Sequence, residues 1–162
     1  MTGVPDGRGN APPAQSAAVE ALYQEQILDH YRRPRNKGEL PGATTSAHLS
    51  NPTCGDEVTV EAIVDGGMIR DVRFTGQGCS IAQASASMMT DMARGASIGA
   101  VRRTRAAVER MLRREPVTRD ALGDLLAFEA VARYPARIEC VLMPWRALGR
   151  ALGESDTTGE PA

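Results

Sequence analysis

The chain has 162 residues, 42% of them apolar and 24% charged, with a formal net charge of −1. That length suits one domain with a real hydrophobic core, and the near-neutral balance supplies no basic field for nucleic acid or an anionic membrane surface. No apolar run approaches the roughly 20 residues a bilayer-spanning helix needs, and the N-terminal stretch lacks the charged-then-apolar layout of a signal peptide, so a cytoplasmic protein is expected.

Residues 1–16 (MTGVPDGRGNAPPAQS) and 153–162 (GESDTTGEPA) are rich in Gly, Pro and small polar residues. They bury too little to offset their ordering entropy, so disordered tails are expected on either side of one domain over residues 17–152. From Ala17 to Arg33, Val19, Leu22, Tyr23, Ile27 and Tyr31 recur at helical spacing, and Pro34 supplies the stop. A weaker extended segment covers Thr44 to Ser50. Val58, Val60, Ala62 and Val64 then alternate with Thr59, Glu61 and Ile63, Asp65-Gly66-Gly67 marks a tight turn, and a returning strand runs from Met68 to Thr75.

Ser80-Ile81-Ala82-Gln83 matches a capping box, which predicts a helix from Ser80 to about Arg94. A second helical stretch covers Ile98 to Arg114, and a third, starting near Thr118, carries Leu122, Leu125, Leu126 and Val131. Pro144 is best tolerated in a first turn, so the last helix is expected to begin within a few residues of Cys140. Strands followed by helices predict an α+β fold, a small three-stranded antiparallel sheet with helices covering one face.

The thiol inventory is Cys54, Cys79 and Cys140, an odd number that argues against a closed disulfide framework. Cys79 immediately precedes a predicted helix start and Cys140 lies near another, where unpaired amide donors and the helix dipole favour a thiolate. Cys54 lies on a loop loosened by Gly55, with Asp56 two residues on. Cys54, Asp56, Cys79 and Cys140 make a donor set suited to tetrahedral zinc or ferrous iron, and the carboxylate suggests a site that opens. The plainer alternative is that each cysteine is a small buried hydrophobe, because the spacing contains no local metal-binding pair.

His30 and His48 read as structural or surface residues, on the first helix and in a strand. Arg102, Arg103, Arg105, Arg110, Arg113 and Arg114 read as a solvated helix face. Met88, Met89, Met92 and Trp145 read as core, and Gly76-Gln77-Gly78, too short for a phosphate loop, as glycines that let backbone amides approach the thiolates.

Four motifs carry a resemblance. Leu22-Tyr23-Gln24-Glu25-Gln26-Ile27-Leu28-Asp29-His30-Tyr31 with Pro34-Arg35-Asn36, then Asn51-Pro52-Thr53-Cys54-Gly55-Asp56, Gly76-Gln77-Gly78-Cys79-Ser80 and Arg137-Ile138-Glu139-Cys140 together resemble the NifU N-terminal family of iron–sulfur assembly proteins. The resemblance covers Val19 to Leu152. The long segment between Cys79 and Cys140 looks like the SufU branch rather than the IscU branch. Glu139 departs from both, since IscU-type members carry histidine there and SufU members usually lysine.

This resemblance implies a SufE/NifU-like fold and a zinc site made by Cys54, Asp56, Cys79 and Cys140. It also implies a SufS-like cysteine desulfurase as partner, downstream iron–sulfur assembly proteins as recipients, and Cys54 as the sulfur-accepting thiol. In the family picture a desulfurase histidine takes the zinc and releases the loop cysteine, while Arg137 favours anionic sulfur nearby. One alternative is a scaffold that assembles a [2Fe–2S] cluster, or binds Fe²⁺, on Cys54, Cys79 and Cys140. A second is a structural zinc module for protein interaction.

Overall fold

The computed structural model describes residues 24–154, so both expected tails, apart from Gly153 and Glu154, and the start of the first helix lie outside the described residues. Within them, helix α1 covers residues 24–32 and is followed by strands β1 (Thr45–Asn51), β2 (Asp56–Asp65) and β3 (Met68–Gln77). Helices α2 (Ser80–Ala93), α3 (Ile98–Leu112) and α4 (Pro135–Ala151) come next, with 3-10 turns at Arg119–Ala121 and Gly123–Arg133 between the last two. No helix among the described residues is long and apolar enough to cross a membrane.

The strands form one antiparallel sheet in the order β1-β2-β3. Asp65 pairs with Met68 across a two-residue turn, and Gly66 and Gly67 both take positive φ (60° and 77°), the conformation whose twist matches a tight hairpin. Alternation does what the period-2 pattern predicts. Val58, Val60 and Ala62 of β2 and Val72 and Phe74 of β3 are buried, while Thr59 and Glu61 face outward half-buried. Helix α4 packs over β1 and β2 and helix α2 over β3, so helices cover one sheet face as expected.

Helix α2 is the centre of the core. Every residue from Ala82 to Thr90 is buried, including Gln83, Ser85, Ser87 and Thr90. A hydroxyl in such surroundings needs a partner. Ser85 Oγ donates to the Val141 carbonyl of α4 at 2.7 Å, and Ser87 Oγ lies 2.7 Å from His30 Nδ1 of α1. These bonds tie α2 to its neighbours, and they make His30 a buried structural histidine; Met88, Met89 and Trp145 are buried too. His48 is exposed, beside Thr59 and Glu57.

Two helix assignments need correction. The expected third α-helix is 3-10 instead. Leu122, Leu125, Phe128 and Val131 are three residues apart and 3%, 3%, 0% and 6% exposed. A period of 3.0 stacks them on one face, whereas an α-helix would rotate each by about 60° from the last. Leu122 separates the two 3-10 turns, and Gly123, at φ +52°, opens the second.

The last helix begins at Pro135, not near Cys140, and Pro144 lies in its interior. Pro135 takes the favoured first position. The buried run Val141 to Trp145 offsets the roughly 3 kcal/mol an internal proline costs.

Candidate metal centre

The β1–β2 connection is a four-residue hairpin loop closed by the Asn51–Asp56 pair. Asn51 holds it twice: its carbonyl accepts the Gly55 N–H at 2.8 Å and its Oδ1 accepts the Thr53 N–H at 3.1 Å. Gly55 supplies the left-handed conformation (φ +77°) that brings the chain back into β2. Cys54 therefore stands exposed at the tip of a closed turn, and Asp56, the first residue of β2, is 3% exposed beneath it.

The helix start after β3 brings the second thiol. Cys79 itself is the N-cap of α2: its Sγ accepts the Ala82 N–H at 3.5 Å and its carbonyl accepts the Gln83 N–H at 3.0 Å. The expected capping box does not form, because the cap falls one residue earlier, at Cys79. Gln83 turns away from it, accepting from Lys37 Nζ at 3.0 Å.

Asp56 is where the elements meet. Its Oδ1 accepts the Cys79 N–H at 3.0 Å and its Oδ2 lies 3.5 Å from Cys79 Sγ. Burial opposes ionisation of Asp56, but hydrogen bonds from the Cys54 thiol, the Cys79 N–H and the Cys140 thiol outweigh it and hold the carboxyl below its ordinary range. Gly78 makes this approach possible, since a Cβ there would sit 2.7 Å from Asp56 Oδ1 and 2.8 Å from its Cγ. Gly76 has a different reason: its φ of +138° and a close approach to the Glu57 carbonyl of β2 exclude a side chain. The glycines thus admit a carboxylate and a strand, not amides reaching for thiolates as expected. The Gly-x-Gly directly before Cys79 was the legible signal for it.

Cys140 is 1% exposed and lies a turn and a half into α4, so the expected helix-start stabilisation of its thiolate does not apply. Burial, then the neighbouring Cys79, pushes its thiol well above the ordinary value, with Arg137 opposing. Arg137 is held more firmly protonated by its hydrogen bond to Cys140 and by the charge of Cys79. Glu139 is not part of this group of donors; its carboxylate accepts from Arg146 Nη1.

Donor atoms of Cys54, Asp56 and Cys140 lie within 4.8 Å of one another, and Cys79 joins through Asp56. Zinc–sulfur bonds of about 2.3 Å in a tetrahedron set sulfurs about 3.8 Å apart, so binding would draw the donors together. Three soft donors and one hard one fit that metal in chemistry. Elsewhere, Arg102 and Arg105 of α3 reach Glu154, and Arg110 and the C-cap Arg113 reach Glu115.

The family model for the NifU-like N-terminal domain matches residues 22–141. The chain is 37% identical over 142 residues, 87% of it and 96% of the relative, to the zinc-dependent sulfurtransferase SufU of Bacillus subtilis strain 168. It is 34% identical over 131 residues, 81% of it and 92% of the relative, to the iron–sulfur cluster assembly scaffold protein IscU of Thermotoga maritima. Among solved structures, the N-terminal part of a nitrogen-fixing NifU-like protein of Brucella abortus superposes with a TM-score of 0.76 at 27% identity, covering 83% of this chain and 94% of that one. A candidate scaffold protein for the SUF system of Fervidobacterium islandicum AW-1 does so with a TM-score of 0.77 at 33% identity, covering 82% and 98%.

Proposed function

The chain belongs to the NifU-like N-terminal domain family of iron–sulfur cluster biogenesis, and we propose that within it this protein is a zinc-dependent sulfur acceptor. Cys54 would receive persulfide sulfur from a cysteine desulfurase of SufS type. One observation carries the reading: of the three donors that converge most closely, Cys54 alone is exposed, while Asp56 and Cys140 are buried. An acceptor must offer one thiol to a partner while keeping the rest of its site. The three free cysteines suit a reducing cytoplasm.

Cys54, Asp56, Cys79 and Cys140 would hold the zinc, which when bound keeps coordinated thiols deprotonated. The chain's own residues do the rest. The Cys54 thiolate attacks the terminal sulfur of the partner's persulfide, that sulfur–sulfur bond breaks, and the partner leaves as a thiolate while Cys54 carries the persulfide. Arg137, already against two sulfurs, favours anionic sulfur at the site. Asp56 keeps its Cys79 N–H bond, and Cys79 keeps its cap, so the site stays assembled while the hairpin tip is engaged.

The test is metal analysis of the purified chain followed by desulfurase turnover with wild type and Cys54→Ala. Zinc in the wild type, with stimulation lost in a folded Cys54→Ala, is expected. Equal stimulation by both overturns the acceptor role, and unfolding of Cys54→Ala points to a structural zinc module. The same three thiols would serve a [2Fe–2S] scaffold, the reading favoured by the Thermotoga maritima relative. Against it, Glu139 paired with Arg146 offers no imidazole beside Cys140. Cluster absorption bands after anaerobic reconstitution, persisting on transfer to an acceptor protein, would decide for the scaffold.

A further inference from the structure

We propose that Ser85 is a positioning residue for the metal centre: its hydroxyl fixes the helix that carries Cys140 against the helix that Cys79 caps. The inference rests on the zinc reading above. Ser85 is 0% exposed in a helix face otherwise built from Ala and Met, where alanine would pack without any polar group to satisfy. A buried helical serine commonly bonds a carbonyl of its own helix one turn back. Ser85 instead donates across to the Val141 carbonyl of α4 at 2.7 Å.

The acceptor's place in α4 gives the bond its meaning. Val141 follows Cys140, and Pro144 cannot donate the hydrogen bond that the Cys140 carbonyl would receive in an unbroken helix. The ladder is interrupted at the residue that carries the thiol, and a small rotation there would swing Cys140 Sγ. The backbone of its own helix holds the sulfur only loosely, since the contact to the Ala136 carbonyl is 3.9 Å long. Ser85 pins the next carbonyl in line. The partner sulfur is set from the same helix, where Cys79 Sγ caps Ala82 N–H one and a half turns before Ser85. Helix α2 thus bears on both the Cys79 and the Cys140 sulfur.

The experiment compares wild type, Ser85→Ala, and the isosteric pair Ser85→Thr and Ser85→Val, which add the same bulk with and without the hydroxyl. Zn²⁺ affinity is read by competition with a chromophoric chelator, and Co²⁺ is substituted to read the d–d absorption of the site. Val108→Ala, a buried change in α3, serves as the control for lost stability alone. Ser85→Ala is expected to weaken zinc about tenfold, the low end of what removing an outer partner does, and to shift the Co²⁺ bands. Ser85→Thr should bind more tightly than Ser85→Val, and Val108→Ala should lower the melting temperature with zinc affinity unchanged. Unaltered affinity and bands in Ser85→Ala, or equal affinity of Thr and Val variants, overturn the proposal while leaving the zinc reading intact. A wild-type chain that binds neither Zn²⁺ nor Co²⁺ overturns both.

Discussion

Helices α2 and α3 begin in the same way with different atoms. Cys79 and Ser97 are both extended N-caps, at φ −69° and −78°, and each side chain accepts the N–H three residues on. Ser97 uses oxygen at 3.0 Å, and Cys79 uses sulfur at 3.5 Å. Oxygen is the better cap, so the start of α3 is what helix stability alone selects. Sulfur at the start of α2 is the poorer structural choice, placed where a glycine-flanked carboxylate and a buried thiol converge. On the proposed zinc reading, the difference separates a residue chosen for folding from one chosen for chemistry.

Cys79→Ser tests this most severely. It should leave metal-free stability unchanged or raised, measured by denaturant unfolding, while zinc affinity falls by more than the 10–100-fold typical of an outer partner. Loss of both together would mean that Cys79 is structural after all. Gly78→Ala should come next. Its backbone is not in the positive-φ region, so the cost is the clash with Asp56, about 1–3 kcal/mol of stability, accompanied by weaker zinc binding. Ser97→Ala should cost about 1 kcal/mol, a few degrees in melting temperature, with zinc binding unchanged.

The smallest effect concerns the middle of α2, where Ser87 meets His30. Burial, then the charge of Arg35, lowers the His30 pKa from its ordinary 6.5, with Asp29, Asp91 and Asp124 opposing. A folded value below the unfolded one means that the unfolded chain binds the proton more readily. Stability should therefore be full above about pH 6.5 and decline as pH falls below it, and His30→Gln should flatten that slope in thermal melts. A slope of the opposite sign would place a charged His30 in the fold.

Much of the site was legible along the chain because its donors sit in short local patterns. Asn51 to Asp56 encodes its own hairpin tip, and Gly-x-Gly before Cys79 encodes a close approach. The two errors of helix assignment share one cause. The 3-10 turn at Gly123–Arg133 and the internal Pro144 both override local propensity through burial, and burial depends on what lies opposite. Leu122, Leu125, Phe128 and Val131 reveal their period of three only once one face is seen to be covered.

The sequence by itself determined the class of the protein: an α+β fold with a three-stranded sheet, three thiols in distinct contexts, and a carboxylate beside the first. Local signals suffice there, since alternation, turn glycines and helix starts act over a few residues. Tertiary structure alone decided how the donors differ. Asp56 is buried and ionised because three thiols and an amide from separate elements surround it, and Cys140 is a high-pKa thiol because α4 begins at Pro135 and packs it inside. Whether a thiol is exposed, capping or buried depends on desolvation and partners contributed by distant segments, and no local pattern contains those.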